Sequence, residues 1–111
     1  MELTPEELLA GSAIAFDLVI PSEVLQPGKS HTGQEVVVQL RPLTIGTFTL
    51  IMKAAKNDPG LIPLLMIKES LVQPKMSLEQ VKGMHLGLVN FLIAHIRHIS
   101  GLVEKKSPPM S

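Results

Sequence analysis

The sequence has 111 residues and a mass of 12.1 kDa, which is enough for one small domain with its own core. It contains no cysteine, which excludes disulfides, a thiol nucleophile and a cysteine-based zinc site. Its formal net charge is zero, which argues against binding nucleic acid through a basic surface. The charges are nevertheless divided, because residues 1–23 carry five carboxylates and no lysine or arginine.

Hydrophobic residues make up 45% of the chain and charged residues only 18%, so apolar side chains must lie near the surface of so small a domain. Partners or a homo-oligomer would cover such side chains. The alternative is a helical domain that exposes leucine and isoleucine singly. No membrane span is expected, because the longest apolar run, residues 61–67, is far shorter than the roughly 20 residues needed. The acidic start MELTPEELLAGS does not resemble a signal peptide.

The first third of the chain predicts a short helix and two strands. Thr4, Pro5 and Glu7 form the pattern of a capping box for a helix that stops before Gly11. Alternation then predicts a strand with Ile14, Phe16, Leu18 and Ile20 on its buried face and Val19 outward. One helical turn follows Pro21, and residues 26–33 read as a polar loop. A second strand places Val36, Val38 and Leu40 inward and Val37 outward.

From Thr44 the apolar period becomes helical. Phe48, Ile51, Met52 and Ala55 form the stripe of the first of these helices. A second helix is expected to start near Pro63 and to run to about Val72. A third, capped by Ser77, is expected to run without a break to Ser100-Gly101, with the stripe Leu78, Val81, His85, Leu88, Val89, Leu92, Ile96 and Ile99.

These elements predict an α+β fold, a β-hairpin packed on a small bundle of about three to four helices. The predicted organisation is a lead-in at 1–12, a single domain at 13–102 and a disordered tail at 103–111. Two strands alone are marginal in water, so the hairpin must pack on the helices or pair with another chain. The outward valines Val19 and Val37 are therefore candidate partner-binding residues.

No catalytic pattern is visible, so we expect neither an enzyme nor a cofactor. His95 and His98 are three residues apart, but no carboxylate or cysteine accompanies them, and His31 lies in the polar loop. We interpret these histidines and His85 as packed or solvent-edge residues rather than metal ligands. Acid–base carboxylate pairs, a nucleophile with His and Asp, and a glycine-rich phosphate loop are also missing.

A strip of small or polar residues runs along the last predicted helix at spacings of three and four: Gly83, Gly87, Asn90, Ala94 and Arg97. Each glycine inside a helix costs about 1 kcal/mol against alanine, so two on one face indicate close approach by another backbone. That backbone belongs either to the helix that starts at Thr44 or to a partner. Gly83, Gly87, Asn90 and Ala94 are accordingly candidate partner-binding residues.

The order of elements and several phrases resemble the small tail assembly chaperones of tailed bacteriophages and prophages. The resemblance covers residues 13–102 and rests on three turn-and-cap segments: VVVQLRPLT at 36–44, ESLVQPKMSLE at 69–79, and the Ser100-Gly101-Leu102 terminus of the last helix. None of these segments is a catalytic signature.

The resemblance implies a mostly helical domain with a hairpin and no catalytic residues. It implies that the chain acts in the cytoplasm of the bacterial host, binds the tape-measure protein and helps to recruit tail-tube subunits around it. The alternatives are a structural tail or baseplate subunit that stays in the particle, or a small adaptor that binds one host helix.

Overall fold

The N-terminal segment forms a short, fully exposed helix. The structure, a computed structural model, describes residues 4–10, 14–26 and 36–102. Helix α1 spans Pro5–Leu9, and the predicted capping box is confirmed: Thr4 Oγ1 accepts from the Glu7 backbone N–H at 3.2 Å, and Glu7 Oε1 accepts from the Thr4 N–H at 2.8 Å. No residue of α1 is buried, so the capping box rather than packing defines it.

A three-stranded antiparallel sheet follows. Strand β1 spans Phe16–Ile20, helix α2 Ser22–Leu25 and strand β2 Val36–Leu40. Strands β1 and β2 pair from Phe16 opposite Leu40 to Ile20 opposite Val36. A third strand, β3, spans Leu71–Gln73 and pairs with the other edge of β2, which gives the order β1-β2-β3. The predicted strands and their antiparallel pairing are confirmed, whereas β3 was not predicted.

The inner face of the sheet is buried unevenly. Val38, Leu40 and Ile20 are buried as the alternation predicts. Ile14 and Phe16 were predicted on the same buried face, but they remain 50% and 38% exposed. The reason is that α2 follows directly on Ile20 and packs against the last helix, so the helical cover lies at that end of β1 and not at its start.

Two ten-residue helices form the middle of the chain. Helix α3 spans Ile45–Ala54 and helix α4 spans Leu61–Ser70, with Pro63 in its first turn as predicted. The predicted extension of α4 to Val72 is wrong. The chain leaves the helix at Ser70, where the buried Ser70 Oγ donates to the Arg41 carbonyl at 2.6 Å and the Ser70 carbonyl accepts from the Arg41 N–H at 2.9 Å. These bonds direct residues 71–73 along β2.

The last predicted helix is two helices, so its prediction as one unbroken element is wrong. Helix α5 spans Leu78–Lys82, with the Ser77–Gln80 capping box in place, and helix α6 spans Leu86–Ile99. His85 has extended backbone angles, φ −75° and ψ 160°, and caps α6 rather than lying on a helical stripe. Helix α6 ends as predicted at Gly101, whose φ of +75° accompanies a bond from Leu102 N–H to the Arg97 carbonyl.

One core joins the sheet to the helices, which confirms the α+β class. Its most buried side chains are Leu40, Ile67, Val81, Leu92 and Ile96. Helix α4 contacts α3, α5 and α6, and therefore lies at the centre of the helical layer. Among the described residues, no helix has the length and apolarity that crossing a membrane requires. The predicted tail, 103–111, and most of the predicted polar loop lie outside the described residues.

Candidate interaction surfaces

Helix α3 is apolar on most of its circumference but is covered on only one side. Within the helix only Ile51 is buried, and α3 packs on α4. The side chains of Ile45, Leu50 and Met52 are 86%, 66% and 44% exposed. We call these three residues the α3 surface. Met52 was predicted in the buried stripe of this helix, and that prediction is wrong. Clustered exposed apolar side chains are typical of interaction sites, so this surface requires an explanation.

Two shallow apolar grooves border the α3 surface. One, of about 200 Å³, lies between α3 and α4, where Leu50 and Ala54 face Leu65. The other, of about 120 Å³, lies between the start of α3 and the end of α6, where Ile45 and Phe48 face Leu102. A bond from the Leu43 N–H to Ser100 Oγ at 2.8 Å fixes the second groove. The arrangement provides recesses for apolar side chains on both sides of one exposed helix.

The outer face of the sheet presents the two predicted valines as one pair. Val19 and Val37 lie directly opposite each other on β1 and β2, and they are 45% and 52% exposed. The next outward pair is polar, since Gln39 Nε2 donates to Asp17 Oδ1 at 3.1 Å. The predicted outward orientation of both valines is confirmed, and their role in partner binding stays a prediction.

The predicted small-residue strip is divided by the break between α5 and α6. Gly83 ends α5, whereas Gly87, Asn90 and Ala94 lie on one exposed face of α6. A Cβ at Gly83 would meet only the Gln80 carbonyl, at 3.4 Å. Within the described part of the chain, no second backbone therefore approaches Gly83. The expectation that the strip packs on the Thr44 helix is wrong for the part on α6, which is exposed. Binding of a partner at these residues stays a prediction.

The reason for glycine at position 87 is the cap of α6. His85 Nδ1 accepts from the Leu88 N–H at 3.2 Å, so the ring proton lies on Nε2 and is donated to the Leu25 carbonyl, also at 3.2 Å. A Cβ at Gly87 would lie 3.3 Å from two atoms of this imidazole. Residue 87 must therefore be small if His85 is to cap α6 and tie it to α2 at once. Sequence reasoning missed this role because it placed His85 inside a helix.

The other described histidines are also used in local contacts or exposed. His95 Nδ1 donates to the Phe91 carbonyl one turn earlier, at 3.0 Å, and the two rings lie 4.6 Å apart. His98 is exposed in the last turn of α6. No group of three or more His, Asp or Glu residues in the described part of the chain could hold a metal ion. His31 lies outside the described residues.

An apolar cleft of about 260 Å³ separates the inner face of the sheet from α6. Its lining is wholly apolar, so it offers no group that could orient a polar substrate. Ile20 and Val38 of the sheet face Leu88 and Leu92 of α6 across it, and Met84 lies at its edge. The cleft is an extension of the core toward the surface rather than a site with chemistry of its own.

The α3 surface and the valine pair expose apolar side chains to solvent. The α3 surface, the valine pair and the exposed face of α6 with Gly87, Asn90 and Ala94 are among the places where another chain could pack. Comparison adds no relative from which a role could be transferred: neither a family model, nor a curated protein, nor a solved structure matches this chain.

Proposed function

We propose that the chain is a non-catalytic tail assembly chaperone of a tailed phage or prophage. In this role it binds the tape-measure protein in the host cytoplasm and helps to recruit tail-tube subunits around it. The proposal combines the sequence resemblance over residues 13–102 with one structural observation, the exposure of the large apolar side chains Ile45, Leu50 and Met52 on helix α3. A chaperone needs such a surface, because it must cover apolar segments of its client before they reach their final neighbours.

The α3 surface is the proposed binding site for the client, the tape-measure protein. Ile45 and Met52 are seven residues apart with Phe48 between them, so they lie on one side of α3, while Leu50 lies on the other beside the groove to α4. An amphipathic helix of the client that packs along α3 would insert apolar side chains into the two bordering grooves. The side chains that such a helix would contact contribute little to the stability of the free chain.

The first test is co-expression of the chain with the tape-measure protein encoded beside it. The proposal predicts a neighbouring reading frame for a very long helical protein, whose product is soluble and co-purifies with the chain only when both are made. A tape-measure protein that is equally soluble alone, or that does not co-purify, would contradict the proposal. Finding the chain in purified particles would instead support the structural-subunit alternative, and capture of a single host protein would support the adaptor.

The second test places a charge on the α3 surface. The variant Ile45→Glu should abolish co-purification while the free chain stays folded, since this side chain is 86% exposed and a carboxylate is favourable in a first helical turn. Lys56→Glu is the matched control, because it puts the same side chain on an exposed position beyond the end of α3. If both variants still co-purify with the tape-measure protein, its binding site is not on α3.

A further inference from the structure

Beyond client binding, we propose that a second copy of this chain docks its acidic helix α1 into a cationic groove beside β3, and that this reciprocal contact makes the chain self-associate. The proposal rests on complementary charge and apolar surface at two sites that residues 4–10, 14–26 and 36–102 of a single copy leave uncovered. It does not depend on the proposed function.

The cationic groove has a volume of about 290 Å³ and lies where the end of β2 meets α4 and β3. Three cations and one carboxylate line it: Arg41, Lys68, Lys75 and Glu69. Glu69 offsets only Lys68, with Nζ 3.5 Å from Oε2, while Arg41 Nε donates to the Glu69 backbone carbonyl at 3.1 Å. The charges of Arg41 and Lys75 are therefore not neutralised by a carboxylate of the groove.

The groove is also apolar at its base. Leu71, Val72 and Met76 contribute its hydrophobic lining, and Val72 and Met76 are only partly buried. A ligand that suits the groove must therefore carry negative charge and apolar side chains on the same short segment. Methionine beside a groove adapts to ligands of different shape, because its side chain is long and unbranched.

Helix α1 has this combination of groups. Glu6 and Glu7 lie in its first turn, and the side chains of Leu8 and Leu9 are 70% and 66% exposed. A five-residue helix is marginal in water without packing, yet no residue of α1 is buried on its own domain. Packing on another surface would account for the exposed leucines.

The charge distribution of the whole chain agrees with such a contact. Residues 1–23 carry a net charge of −5, and the remaining residues carry ten basic and five acidic side chains, or +5. Residues 1–23 of one copy are therefore attracted to the more basic remainder of another copy. Because no residue of α1 is buried by the described part of the same chain and the groove is open in that part, the second copy is the proposed occupant, and a two-fold arrangement makes the contact twice in each dimer.

Sedimentation equilibrium of the full chain at several concentrations tests the proposal. The expected result is a monomer–dimer equilibrium that shifts to monomer as salt is raised, because exposed charge pairs are screened. One exposed pair of opposite charges changes binding affinity by up to about fivefold. A two-fold dimer contains the Glu6–Lys75 contact twice, so Glu6→Lys or Lys75→Glu should raise its dissociation constant about 25-fold. The double variant should recover most of this loss.

The matched controls reverse exposed charges outside α1 and the cationic groove. Glu23→Lys makes the same charge change as Glu6→Lys, and Lys53→Glu makes the same change as Lys75→Glu. Both controls should leave the dissociation constant of the dimer within about twofold of the wild type. A wild-type chain that stays monomeric at all concentrations overturns the proposal, and so does a dimer that responds equally to control and test variants. A dimer weakened by both single reversals but not restored by the double variant also overturns the assigned pairing.

Discussion

Helices α3 and α6 are both rich in apolar residues, but only α6 is explained by the fold of one chain. Helix α6 buries Leu88, Val89, Leu92 and Ile96. Its opposite face, with Gly87, Asn90, Ala94 and Arg97, is exposed and carries one large apolar side chain, that of Leu86, which is 78% exposed. Helix α3 buries one residue and exposes Ile45, Leu50 and Met52. Apart from Leu86 in its first turn, α6 therefore separates a buried apolar face from an exposed polar one, whereas α3 exposes three large apolar side chains and buries one.

This contrast separates two uses of apolar side chains in one small domain. In α6 they stabilise the folded state, and in α3 the exposed ones contribute little to folding and remain available to another chain. Stability measurements should therefore separate the two helices, because chemically equal substitutions in them have different consequences.

The largest effect is expected for Leu92→Ala in α6. Leu92 is 2% exposed, so its truncation removes burial and leaves a cavity, which costs about 2–5 kcal/mol of unfolding free energy. Chemical denaturation measures the loss. A loss below about 1 kcal/mol would show that the buried face of α6 is not the core of the domain.

An intermediate effect is expected at the junction that ends α4. Ser70→Ala removes the bond from the buried Ser70 hydroxyl to the Arg41 carbonyl, which should cost about 1–2 kcal/mol. Ser22→Ala, at a partly exposed position of α2, is the comparison and should change stability by less than about 0.5 kcal/mol. If both variants lose the same unfolding free energy, the Ser70–Arg41 hydrogen bond does not stabilise the turn from α4 into β3.

A similar or smaller effect is expected at the start of α6. His85→Ala removes the acceptor for the Leu88 N–H, and loss of an N-cap costs about 0.5–2 kcal/mol. His85→Asn keeps a capping oxygen but cannot reach Leu25 in the same way, so thermal unfolding should place it between wild type and alanine. If His85→Asn lowers the melting temperature as much as His85→Ala, the N-cap hydrogen bond to Leu88 is not what makes His85 stabilising.

The smallest effect is expected on the α3 surface. Leu50→Ala deletes the same atoms as Leu92→Ala, but Leu50 is 66% exposed, so the change should stay within about 0.5 kcal/mol. The pair of variants measures the contrast between the helices directly. A loss above about 2 kcal/mol for Leu50→Ala would place this side chain in the core.

Sequence reasoning succeeded where local chemistry decides the structure. The capping boxes at Thr4 and Ser77 and the alternation of Val36, Val38 and Leu40 lie within a few residues of what they specify. These signals were sufficient for the starts of α1 and α5, the two faces of β2 and the α+β class.

Prediction from the sequence failed where contacts between distant residues override a local pattern. The three residues of β3 are too few to show alternation, and their direction is set by bonds between Ser70 and Arg41, 29 residues apart. The break before α6 depends on an imidazole that reaches Leu25, 60 residues earlier. The exposed α3 surface was missed because a helical stripe predicts an apolar face but not how much of that face the same chain covers.

The most direct test of the central claim is amide hydrogen exchange in α3 with and without the client. The free chain and its complex with the tape-measure protein would be compared at the peptides that cover Ile45–Ala54 and Leu86–Ile99. The account predicts that exchange slows markedly in α3 on binding and changes little in α6, whose apolar face is already buried. Unchanged exchange in α3, with protection confined to α6, would contradict it.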